Sequence, residues 1–176
     1  MSSLWVNFAQ VGCEIYCFSY PESPSPACAP RLSIFLNKDG VRLSTRGKAS
    51  FRLCVIYGNS ESGVHSQQEA RAKLEGCTLY GSPGMPQKRG ALAIEKGVIA
   101  LAGGSINRHA EEGVLAESGA EVALTGVVVE GQGGFGLRFT GGGTKGEMRD
   151  CRVRDGRLSA GLIVDGNSAV MVNGCW

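Results

Sequence analysis

His65 and His109 are the only imidazoles in this sequence, and together with seven cysteines and 16 acidic residues they set the chemistry on offer. The cysteines, Cys13, Cys17, Cys28, Cys54, Cys77, Cys151 and Cys175, form no tight pairs of the zinc-site kind. Being odd in number, they leave at least one thiol unpaired within the chain. His109 falls in the polar run from Asn107 to Glu112, where a solvated surface histidine is the expectation. Gly131-Gln132-Gly133-Gly134 and Gly141-Gly142-Gly143 neither open a helix nor match a nucleotide fingerprint, so they are expected to be corner turns. No nucleophile–base constellation emerges. The sequence therefore predicts no catalytic residue, no metal and no cofactor.

The elements that must position these residues are legible as a repeat. Glycine followed by an apolar residue recurs at Gly40-Val41, Gly63-Val64, Gly90-Ala91, Gly113-Val114, Gly136-Leu137 and Gly161-Leu162, at spacings of 23, 27, 23, 23 and 25. A second landmark follows each glycine by 14, 14, 14, 14, 15 and 14 residues: Cys54, Cys77, Gly104, Val127, Cys151 and Cys175. Three positions before it stand Phe51, Leu74, Leu101, Leu124, Met148 and Val172; two positions after it stand Ile56, Leu79, Ile106, Val129 and Val153. Polar and apolar residues alternate around these columns, as in Lys73-Leu74-Glu75, which is the period of a strand with one buried face. The run Gln67 to Leu74 would read as a helix alone, but the same columns elsewhere hold β-branched residues, as at Val127-Val128-Val129.

Turns of about 23 residues, each carrying two or three short strands and stacked on identical turns, build a parallel β-helix. The fold class expected is all-β, a right-handed parallel β-helix of about six coils over residues 40–176, with an irregular cap over 1–39. Glycine at the corners is expected to supply positive φ angles that other residues resist. The surplus of the second coil falls in Ser82 to Arg89, a run of turn residues, and the extra residue of the fifth in Gly141-Gly142-Gly143.

The pattern Ala70-x-Ala72-x-Leu74-x-Gly76-Cys77-x-Leu79-x-Gly81, with its following glycine-apolar pair, resembles the parallel β-helix repeat of the pectin-lyase-like superfamily. The resemblance covers about Lys38 to Trp176. It implies a fold shared by polysaccharide lyases, hydrolases, epimerases, carbohydrate-binding proteins and non-enzymatic scaffolds, so it speaks for architecture more than for activity.

Enzymes of this fold often use one outward face, and the alternation assigns one here. Taking the residue after each glycine as inward, the outward positions are Arg42, His65, Leu92, Leu115, Arg138 and Ile163, then Ser44, Gln67, Ile94, Glu117, Thr140 and Asp165. Glu117 and Asp165 lie two coils apart, roughly 10 Å at strand spacing, so no neighbouring acid and base result. Leu92, Ile94 and Leu115 instead form an apolar patch of the kind that marks a partner surface. Trp5 and Trp176, near the two ends, are candidate partner contacts as well. Cys175-Trp176 falls in the middle of a coil, which predicts an uncapped C-terminal end open to self-association or to a protein partner.

The leading expectation is a non-catalytic scaffold or structural subunit within a larger assembly. Its rival is a carbohydrate-active or carbohydrate-binding protein using Arg42, His65, Glu117, Arg138 and Asp165, with a polysaccharide as partner. A formal net charge of +2 over 176 residues argues against nucleic acid as a partner. No stretch approaches the roughly 20 apolar residues of a membrane span. The first ten residues lack the basic start and apolar run of a signal peptide, which predicts an intracellular, reducing setting. Four of the six prolines lie in the first 30 residues, which sets the beginning apart from the uniform remainder.

Overall fold

The structure, a computed structural model, describes residues 3–8, 13–18, 33–84, 86–154 and 160–176, with backbone pairing alone for the first two segments. All described elements are strands. β1 (Ser3–Phe8) and β2 (Cys13–Phe18) pair antiparallel, and β2 lies antiparallel beside β4. The proline-rich stretch from Pro21 to Pro30 lies outside the described residues.

From residue 33 onward the chain winds through three ladders of parallel strands. The first contains β4 (Asp39–Leu43), β7 (Ser62–Ser66), β10 (Arg89–Ala93), β13 (Val114–Glu117), β16 (Leu137–Thr140) and β19 (Leu162–Val164). The second contains β5 (Lys48–Arg52), β8 (Arg71–Glu75), β11 (Val98–Ala102), β14 (Glu121–Thr125), β17 (Lys145–Arg149) and β20 (Ala169–Asn173). The third contains β3 (Ser33–Phe35), β6 (Val55–Tyr57), β9 (Thr78–Tyr80), β12 (Ser105–Asn107), β15 (Val128–Glu130) and β18 (Arg152–Arg154). This is a parallel β-solenoid of about six turns. The helix-like run Gln67 to Leu74 is a turn followed by β8, because Ala72 and Leu74 bury while Arg71 and Lys73 face solvent.

Like sits over like throughout. Phe51, Leu74, Leu101, Leu124, Met148 and Val172 stand in one register. Ile56, Leu79, Ile106 and Val129 form a second column, fully buried. Each coil alone buries one apolar stripe; stacking closes those stripes into a continuous core.

The glycine column works differently from the expectation. Gly40, Gly63, Gly90, Gly113 and Gly136 do not adopt positive φ. A Cβ at Gly113 would instead lie 2.6 Å from the Gly136 carbonyl oxygen, and one at Gly90 2.6 Å from that of Gly113. Close approach of adjacent coils, and not backbone handedness, requires glycine there. One left-handed corner lies one residue before the second landmark, where Gly76, Gly103, Gly126 and Gly174 have φ of 61–64°, alongside Leu53 at 53° and Asp150 at 51°.

Candidate functional site

The outward ladder read from the sequence is present in register: Arg42 lies beside His65, His65 beside Leu92, Leu92 beside Leu115, Leu115 beside Arg138, and Arg138 beside Ile163. Its surface differs from the expectation in two places. His65 is only 8% exposed, and Leu115 only 9%, so the apolar trio presents Leu92 and Ile94 as half-buried side chains with Leu115 sunk between coils. Trp5 lies in β1 opposite Tyr16, and its side chain falls outside the described residues.

At the first coils, Asp39 on β4 receives the His65 Nδ1 hydrogen bond at 3.2 Å, with the Arg42 guanidinium 4.0 Å away. Burial works to raise the Asp39 carboxyl pKa, but the His65 hydrogen bond and charge outweigh it; the Ser62 hydroxyl and Arg42 add to the lowering. The carboxylate therefore orients the imidazole. Among the described residues His65 Nε2 is buried without a hydrogen-bond partner, and none of them joins a nucleophile to the pair. Toward the other end the candidate sugar contacts Arg138 and Asp165 meet each other at 3.5 Å, with Arg138 Nε and Asp165 Oδ1 left without a hydrogen-bond partner among the described residues. Glu117 stands opposite Thr140 and makes no ion pair among the described residues. Among the described residues the ladder thus holds one oriented histidine and two Arg–Asp ion pairs, not an acid–base pair flanking a groove.

His109 overturns its expectation. It is 1% exposed and forms one rung of a buried polar column with Asn59, Gln87 and Gln132. The side-chain carbonyl of each amide accepts the backbone N–H of the coil before it: Asn37 to Asn59 at 3.1 Å, Asn59 to Gln87 at 3.2 Å, His109 to Gln132 at 2.8 Å. His109 Nδ1 accepts from Gln87 Nε2 at 3.4 Å, and its Nε2 donates to the Leu79 carbonyl at 3.3 Å. Both ring nitrogens are thereby matched in the neutral form. Burial pushes the imidazole pKa down to about 4, against smaller upward pulls from the carbonyls of Leu79 and Gln87. The signal was in the sequence: Asn59, His109 and Gln132 each stand five residues after a second landmark.

A second column went unread. Phe35, Tyr57 and Tyr80 stack on the outside of the third ladder, with ring centroids 5.0 and 4.9 Å apart. Their faces are turned to one another, so the stack stiffens the coils and offers little ring face for a sugar. The cysteine ladder is as expected for small core residues: Cys54, Cys77 and Cys151 are buried and form no disulfide among the described residues.

The last coil stands apart. Six large apolar side chains are exposed among the described residues, and four belong to this coil: Val164 at 43%, Met171 at 67%, Val172 at 50% and Trp176 at 71%. Val172 occupies the column that buries Met148 and Leu124 one and two coils earlier. Trp176 donates its N–H to the Cys151 carbonyl and accepts from Val153 N, extending the third ladder by one strand stub. Its indole does not plug the end. β20 is an edge strand reading Ala-Val-Met-Val-Asn, without the charge that blunts edges elsewhere.

No family model matches the chain, and no curated protein or solved structure matches it either.

Proposed function

We propose that this chain is a non-catalytic solenoid scaffold that docks a protein partner on the outward face of its first ladder. One observation carries the reading: Leu92 and Ile94 stand half-buried on that face, with Leu115 beside Leu92 on the next coil. Apolar side chains left part-open on adjacent coils are the kind of surface a partner covers. The repeat supports kinship with the pectin-lyase-like superfamily and, with it, a right-handed winding. Buried cysteines without a disulfide among the described residues suit a reducing, intracellular setting. The carbohydrate reading finds less support, because Arg138 and Asp165 neutralise each other and His65 is covered.

Gentle affinity capture followed by light scattering and protein identification tests the proposal. A species well above 18.4 kDa that returns to monomer mass in Leu92→Lys supports it. A wild-type monomer without companions, or an assembly indifferent to Leu92→Lys and Ile94→Lys, overturns it.

A further inference from the structure

A groove of about 720 Å³ runs along the corner between the first and second ladders, lined by Arg46, Lys48, Arg71, Lys96 and Lys145 against two carboxylates, Glu69 and Glu121. Two of the cations are matched: Arg46 meets Glu69 at 3.0 Å, and Lys145 meets Glu121 at 3.8 Å. Lys48, Arg71 and Lys96 form no ion pair among the described residues. Lys48 and Arg71 are direct neighbours on β5 and β8, where like charges side by side destabilise a sheet. Elsewhere on the same ladder cations have acids: Arg52 meets Glu75 at 2.9 Å, and Lys73 meets Glu75 at 2.7 Å.

The backbone adds a second observation. Arg46, Glu69 and Lys96 all have φ of 63°, in the same turn where a later coil places Gly119 at 77°. Holding non-glycine residues in that left-handed conformation costs free energy, and here it sets two cations on the rim with the carboxylate that pairs with Arg46 between them. Gly119, Gly142 and Gly143 leave the groove open beside Lys96 and Lys145.

We infer that this groove binds an acidic peptide segment of a protein partner. No aromatic side chain lines it, so neither a nucleobase nor a sugar ring finds a face to stack on. Charge and shape are what remain. Lys48 to Lys96 spans two coil spacings, roughly 10 Å, and an extended peptide rises about 3.3 Å per residue. A run of three or four acidic residues therefore reaches from one to the other. The site lies at the corner between the first and second ladders and is tested without a partner bound at Leu92 and Ile94.

A fluorescein-labelled peptide of repeated Glu-Ser units is the probe, with the Gln-Ser repeat as neutral control, read by fluorescence anisotropy on the full chain. The Glu-Ser peptide is expected to bind and to weaken as salt rises. Lys48→Glu, Arg71→Glu and Lys96→Glu should each weaken it about fivefold, while Arg152→Glu on the third ladder leaves it unchanged. Lys48→Gln should weaken binding and also raise the melting midpoint, since it relieves repulsion from Arg71. Equal binding of the neutral peptide, wild-type affinity in the reversal variants, or a lowered midpoint in Lys48→Gln overturns the inference. Tighter binding of an oligouronate or a DNA oligonucleotide at the same salt overturns it as well.

Discussion

Leu124 and Val172 occupy the same column two coils apart, yet one is 1% exposed and the other 50%. Gly113 and Gly161 are likewise equivalent by sequence. A Cβ on Gly113 would strike the next coil's carbonyl, whereas one on Gly161 would meet only the Val153 methyl at 3.3 Å. In a solenoid, then, a residue's energetic role is conferred by the coil above it as much as by its own type. The interior coils are defined from both sides, the last coil from one.

The sharpest way to break this comparison is paired truncation. Leu124→Ala should cost about 2–5 kcal/mol, the usual range for emptying a packed core position. Val172→Ala should cost well under 1 kcal/mol in the isolated chain. Comparable losses in chemical denaturation would contradict the contrast.

Acid titration comes next. The folded-state pKa of His109 lies near 4, below the unfolded value of about 6.5, so the unfolded chain binds more protons between them. This residue's contribution is present above about pH 6.5 and is lost as pH falls toward 4, by roughly 3 kcal/mol at one pKa unit per 1.36 kcal/mol. His109→Gln places in that coil what its neighbours carry and should flatten the stability profile between those limits. An unchanged profile would remove His109 as the cause.

A smaller effect separates the two glycines. Gly113→Ala should destabilise by about 1–3 kcal/mol because backbone must move. Gly161→Ala should lie within about 0.5 kcal/mol of the parent protein. Melting midpoints of the two variants make the test.

Most of the fold was legible because the core is periodic. Ala72, Leu74 and Leu79 predict their own burial once aligned with Leu101, Ile106 and Leu124, and the alignment outweighed the helical look of Gln67 to Leu74. What escaped were positions whose character depends on a neighbour one coil away. His109 is polar and flanked by polar residues, so nothing local announces burial; only its alignment with Asn59 and Gln132 does. The glycines were located correctly but explained by the wrong cause, since φ and carbonyl approach leave the same letter in the sequence. The ring stack needed Phe35, Tyr57 and Tyr80 to be read as one column across three coils. The groove cations escaped too: that Lys48 faces Arg71 without an acid is a property of register.

The corner at Ser82 to Arg89 has a consequence of its own. Four residues beyond the common spacing fall between β9 and β10, and both strands keep register with β12 and β13. Length inserted there is decoupled from the winding as long as Gln87 keeps its place in the buried polar column, which makes the stretch ahead of Gln87 the point where an experimenter can graft a new segment onto the rod without rewriting a coil.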